Sequence, residues 1–544
     1  MRFLSTIIFV SSLLFACNSK KHADLIVQNA KVYTVDADFS VAEAFAIVDG
    51  KIIEVGSSAA ILAAYDAKEI IDAGGKAVFP GFIDAHAHFF RYGQGLQDAN
   101  LVGTKSWEEI LTKLKAFADE NKEGWILGRG WDQNDWSKKE FPEKSLLDSL
   151  FPNRPVMLKR IDGHAVIVNQ AALDLAKIVA GQQLVGGEVV TKNGKLTGVL
   201  IDNAVDLVTR IIPPLTPNQN KDALLDAAKN CFAVGLTTVD DCGLDYTDVN
   251  FIDSLQKTGD LKMRLYVMLS DAQKNYDFLF KNGKIKTDFL NVRSFKVYGD
   301  GALGSRGACL LSPYLDEASN SGFLLSNQQH FKEVAKKIYD HDFQMCTHAI
   351  GDSANRVILK IYADVLKDKN DKRWRIEHAQ VINPKDFDLF GNYNIIPSVQ
   401  PTHATSDMYW AKDRLGVERV KSAYAYQKLL KQNGWIPLGT DFPVEDINPI
   451  YTFYAAVIRK DLQQSPVGGF QKENALTRIQ ALKGMTIWAA KANFEENEKG
   501  SLEKGKFADF VILDQDLMTA EESSLSNIKV KQTFIGGKNV YKHD

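Results

Sequence analysis

Ile83-Asp84-Ala85-His86-Ala87-His88 ends an apolar run that begins at Ala77 and reads as a β-strand. Side chains two apart on a strand point the same way. His86 and His88 therefore share a face, with Cα atoms about 7 Å apart, and can grip one ion. Three later strand ends have the same character: Met345-Cys346-Thr347-His348, Arg375-Ile376-Glu377-His378 and Leu438-Gly439-Thr440-Asp441. The chain has ten histidines, and four of them fall at the C-terminal ends of expected strands. A structural histidine accounts for any one of these. It does not account for four meeting on one rim.

Working outward, strand patterns recur at Ala77–Ala85, Leu236–Asp240, Arg264–Leu269, Arg293–Tyr298, Gln344–His348, Trp374–His378, Ile395–Gln400 and Ile436–Gly439, with helix-forming segments between them. Eight parallel strands alternating with helices predict an α/β chain closed into a (β/α)8 barrel, with chemistry at the C-terminal strand ends. About 150 residues separate the first two strands, far more than a βα turn requires. The helical pattern at Trp107–Glu120 and the hairpin-like stretch 187–195 make this insertion, about residues 95–230, a lid subdomain over the barrel mouth. Short β-branched runs at both chain ends, with Asp49-Gly50 and Gly536-Gly537 as turns, are too few on either side to bury a core alone. They are expected to pair into one small β-sandwich domain from residues 24–78 and 494–544, around a barrel spanning 79–493.

Lys296 lies in an otherwise apolar strand, where an unpaired ammonium would cost several kcal/mol. A neutral amine there can take up carbon dioxide, and the resulting carbamate can bridge two cations. Pairing with a carboxylate such as Asp300 is the ordinary alternative. The 544 residues carry 65 basic and 68 acidic side chains, a balance that offers no field for a nucleic-acid backbone. Five cysteines without a C-x-x-C pair argue against a thiolate zinc site or a disulfide scaffold.

Asp84-Ala85-His86-Ala87-His88, Lys296-Val297-Tyr298-Gly299-Asp300-Gly301-Ala302-Leu303-Gly304-Ser305-Arg306, Thr347-His348-Ala349-Ile350-Gly351-Asp352, Arg375-Ile376-Glu377-His378-Ala379-Gln380 and Gly439-Thr440-Asp441 together resemble the amidohydrolase superfamily. The wording is that of amidohydrolase family 3, the N-substituted formamide deformylase-like branch. Gly130-Trp131-Asp132 and Asp162-Gly163-His164-Ala165 in the insertion also match, whereas Asp202 stands where many relatives carry glutamate. The resemblance covers nearly all of the mature chain. It implies a metal-dependent hydrolase of a C–N bond, of amide or N-acyl or N-formyl type, acting on a small molecule. His86, His88 and Asp441 would hold one Zn²⁺, with His348 and His378 on a second and a carboxylated Lys296 between them. A metal-activated hydroxide would attack the carbonyl, with Asp441 as general acid and base. Trp131, His164, Tyr298 and Arg306 are the substrate-binding expectations. Hydrolytic deamination of a ring, or a surface-anchored binding protein without turnover, are the alternative readings.

The first residues read as an address. Arg2, a short apolar stretch from Leu4 to Phe15, and Ala16-Cys17 resemble a bacterial lipoprotein signal, residues 1–16, with Cys17 lipidated and residues 17–23 a polar tether. That arrangement implies an exported, membrane-anchored lipoprotein in the periplasm or at the cell surface. The sequence leaves the oligomeric state open, and a homodimer is compatible with it.

Overall fold

The apolar run at 77–87 forms two strands, Ala77–Pro80 and Phe82–Ala87, where the sequence suggested one. Gly81 makes the break. A Cβ there would lie 2.3 Å from Thr237 Oγ1, so the backbone passes too close for any side chain. The first strand joins a sheet of the chain ends, and the second opens the barrel. The computed structural model describes residues 20–543, so the expected signal and Cys17 lie outside the described residues.

The barrel sheet has seven regular parallel strands in chain order: β1 (Phe82–Ala87), β2 (Leu236–Leu244), β3 (Arg264–Ser270), β4 (Leu290–Tyr298), β5 (Gln344–Ala349), β6 (Arg375–His378) and β7 (Ile396–Ser398). At the expected eighth position, closure is made by single hydrogen bonds. Gly439 N–H donates to Val399 O (3.1 Å), while Ala85 N–H donates to Leu438 O (3.1 Å) and Asp441 N–H to His86 O (2.7 Å). Pro437 has no N–H to give, which weakens the ladder here. Asp84 strengthens the seam instead, accepting from Thr440 Oγ1 (2.6 Å), Thr440 N (3.0 Å) and His86 N (3.1 Å).

The insertion is built on a six-stranded sheet running in the order 187–192, 195–202, 165–168, 156–160, 126–131, 99–100. The helix expected at Trp107–Glu120 is present, capped by Ser106 and burying Ile110 and Leu114. The sheet has a small core on each face, one around Leu101, Trp131 and Leu158 and one around Val166, Leu173 and Leu200. It is fastened to the barrel mouth: Arg129 donates to Pro443 O (2.6 Å) and Asn203 to Leu325 O (3.0 Å).

Both chain ends share one sheet, in which Val78 pairs with Ile512 and Val32 with Val78. A second sheet comes from the N-terminal part alone, in the order 51–56, 44–48, 21–28, 65–72. Residues 21–23, read as tether, instead open its third strand, with Lys21 opposite Tyr65. The sheets face each other across Leu25, Phe45, Ile47, Val78, Phe510 and Phe534. Asp49 and Gly50 both have positive φ (49° and 74°), as the tight hairpin at that dipeptide requires. Among the described residues, no helix is long and apolar enough to cross a membrane.

Candidate metal centre

At the C-terminal mouth, the hydrogen bonds of His86 and His88 determine which nitrogen of each ring is bare. His86 Nδ1 lies 2.5 Å from Glu377 Oε2 and donates to it. Arg375 grips the other oxygen of Glu377 (2.6 Å) and is itself held by Asp240 (2.9 Å). His88 Nδ1 donates to Cys242 O (3.0 Å). With Nδ1 protonated on both neutral rings, each Nε2 presents a lone pair. Burial pushes His88 down to about 4, which keeps it neutral at physiological pH.

Both lone pairs face one oxygen. Asp441 Oδ1 is 3.2 Å from His88 Nε2 and 3.5 Å from His86 Nε2, and it is buried without a hydrogen-bond donor. Burial favours the neutral acid, but His403 and His88, with His86 and His378, hold the Asp441 carboxyl well below the usual carboxylate range. Lys296 Nζ lies 3.1 Å from His86 Nε2 and donates to it, whereas Asp441 Oδ1 and His88 Nε2, 3.2 Å apart, share no hydrogen bond and leave a pair of acceptors that a divalent cation would bridge. The donor set, two imidazole nitrogens and a carboxylate oxygen, suits zinc or a similar divalent ion.

A second group shares Asp441. His378, His403 and Asp441 offer ligand atoms within 4.8 Å of one another, and His378 Nδ1 is buried without a partner. His403 Nε2 lies 3.4 Å from Asp441 Oδ2, and its Nδ1 lies 2.9 Å from Glu445. The sequence reading missed His403 because it is the third residue of helix Pro401–Asp407, beyond β7 rather than at its end. The available signal was Gln400-Pro401-Thr402-His403, a proline-started helix immediately after a strand. Glu377 was missed because strand alternation assigns it and His378 to opposite faces. His378 has φ 73°, which turns it back toward the mouth beside Glu377.

His348 adjoins this cluster, with its ring centroid 4.5 Å from that of His378. Its Nε2 is turned to the loop after β4, 3.4 Å from Gly301 O and 3.6 Å from Asp300. Lys296 is wholly buried, with Nζ 3.1 Å from His86 Nε2. Asp300 does not pair with it. The Asp300 oxygens are occupied by the N–H groups of Cys309 (2.8 Å), Ile350 (2.9 Å) and Gly351 (2.8 Å).

The expected substrate residues separate into two groups. His164 reaches the site from the lid, its ring centroid 5.1 Å from that of His348, with Nδ1 held by Asp202 at 2.6 Å. Burial opposes protonation of His164, but Asp202, Asp162 and Asp300 raise it to about 9. The carboxylate at 202 therefore serves His164. Tyr298 lies beside both groups, its ring 5.6 Å from that of His348 and 5.1 Å from Lys296 Nζ. Trp131 is fully buried in the lid core, its indole N–H on Leu158 O (2.8 Å), with no surface left for a ligand. Arg306 is taken up by Asp316 (2.9 Å) and Glu317 (3.3 Å).

A barrel with a histidine–aspartate mouth, a buried lysine on β4 and a lid after β1 defines a class of metal-dependent hydrolases. Sequence comparison gives the family: the amidohydrolase family matches residues 69–541, and the chain belongs to it. Membership supports a metal-dependent hydrolase acting on C–N bonds. Protein LONG AFTER FAR-RED 3 of Arabidopsis thaliana is 33% identical over 538 residues, covering 95% of this chain and 92% of that protein. N-substituted formamide deformylase of Arthrobacter pascens is 26% identical over 539 residues, covering 94% and 97%. Among solved structures, an uncharacterized metal-dependent hydrolase of Pyrococcus horikoshii superposes with a TM-score of 0.75 at 27% identity, covering 92% of this chain and 99% of that one.

Proposed function

We propose that this protein hydrolyses the C–N bond of a small amide, N-acyl or N-formyl compound at a zinc centre held by His86, His88 and Asp441. A second ion would sit among His348, His378 and a carboxylated Lys296, with His403 as a further donor. The observation that carries the reading is the convergence of two imidazole Nε2 lone pairs, that of His88 free and that of His86 shared with Lys296, on one buried carboxylate oxygen that accepts no hydrogen bond. When bound, the metal polarises the carbonyl and lowers the pKa of water to about 7. Asp441 then accepts a proton from the attacking water and returns it to the departing amine. Glu377 and the Cys242 carbonyl keep the two histidines in the required tautomer. His164, held by Asp202, donates toward the substrate from the lid. The likeness to the formamide deformylase supports an N-formyl or N-acyl substrate.

A panel of N-formyl and N-acyl amines and amino acids tests this reading. At least one compound should be hydrolysed in a metal-dependent manner. On that compound, Asp441→Asn should keep most of its metal and lose about 10²-fold or more in kcat. Wild-type turnover in Asp441→Asn would remove the assigned base. The address at residues 1–17 supports an exported lipoprotein anchored through Cys17, meeting its small-molecule substrate outside the cytoplasm.

A further inference from the structure

Arg129 and Lys159 are cross-strand partners in the lid sheet, so their side chains leave the same face. Like charges placed this way repel. Arg91 joins them from helix Phe89–Gly95, which follows His88. Burial, and then the charges of Arg91 and Arg129, press the Lys159 ammonium down to about 8. Some other lid cations are paired, Arg160 with Asp132 and Asp162 and Lys144 with Asp148. These three make no ion pair among the described residues, and the Lys159 ammonium has no hydrogen bond there. Asp98 and Asp206 act on Lys159 only through space, and burial holds the Asp98 carboxyl up at about 6.

Two of the three border the metal centre, and Lys159 adjoins both. Arg129 donates to the carbonyl of Pro443 (2.6 Å), two residues beyond Asp441, and to that of Ile161 (3.1 Å). Arg91 donates to Gly243 O (3.1 Å), next to the Cys242 carbonyl that holds His88. We propose that Arg91, Arg129 and Lys159 form a subsite for a carboxylate carried by the substrate, so that the protein acts on N-acyl compounds bearing an acid group, such as N-acyl amino acids. The inference rests on the hydrolytic reading above and narrows it. Positive charge that no carboxylate pairs within ion-pair distance, beside the reacting centre, is what binding an anionic substituent requires.

Calorimetry with the metal-loaded protein tests it, using N-formyl- and N-acetyl-amino acids and their primary amides as probes. The wild type should bind the acid about ten-fold or more tighter than its amide, and Lys159→Met should cut that preference below about three-fold. The Tm of Lys159→Met should stay level or rise, because a repelled and unpaired ammonium is gone. A purely structural lysine would lower it on removal. Lys159→Gln serves if the methionine variant does not fold. Equal binding of acid and amide, no binding of either, or an unchanged preference in the variant would overturn the proposal. So would inorganic phosphate binding through Lys159 without acid–amide discrimination. Discrimination in binding without turnover of any probe would count against the hydrolytic reading and in favour of the subsite.

Discussion

His86 shows how much of the centre depends on residues that never touch a ligand. Its Nδ1–H donates to Glu377, and Glu377 is fixed by Arg375, all three fully buried. Burial alone would push Glu377 up, but Arg375 and His86 hold its carboxyl well below the usual range. Glu377→Gln keeps an oxygen for His86 but loses the charge that makes His86 a strong ligand and Arg375 a fixed anchor. Metal affinity should fall about 10–100-fold, as read by competition with a chromophoric chelator. An unchanged affinity would mean that Glu377 does not support His86. The candidate ligands His86, His88, His378 and Asp441, with His348 beside them, were legible in the sequence because each follows a β-rich segment. His403 and Glu377 were not, because a helix position and a positive φ at His378 break the strand alternation on which the reading relied.

Among the elements, the strands with sharp turn signals were the most legible. The hairpin at Asp49-Gly50 and the turn at Gly536-Gly537 fall where expected, and helix Trp107–Glu120 matches residue for residue. The run at 77–87 and the closing segment at 436–441 were less so. The first hides a close approach at Gly81, and the second closes the barrel without forming a regular strand. The joining of the two chain ends rests on Phe510, which is fully buried, stacks on Phe534 (4.2 Å) and meets Phe45 edge-on (5.1 Å). Phe510→Ala should therefore cost about 3–5 kcal/mol of stability. Urea unfolding checks this, with the midpoint falling at an unchanged slope. A loss below about 1 kcal/mol would mean that the terminal sheets do not depend on this contact.

For the whole molecule, the address and the centre are separable claims. Cys17→Ser should leave hydrolysis intact in the purified protein while moving it from the membrane to the soluble fraction, or blocking its processing. A wild-type protein that stays in the aqueous phase and retains residues 1–16 would refute the lipoprotein reading. The barrel, lid and terminal sheets place the candidate ligands on one rim from positions as far apart as His86 and Asp441, and this convergence is the central claim. Metal content per chain tests it most directly, measured by elemental analysis on the wild type, on His86→Ala with His88→Ala, and on Lys296→Ala. The wild type should hold one or two divalent ions. The double histidine variant should lose the ion at Asp441, and Lys296→Ala should lose a second ion where one is present. A folded wild-type protein that binds no divalent ion, or a double histidine variant that binds as many ions as the wild type, would contradict it.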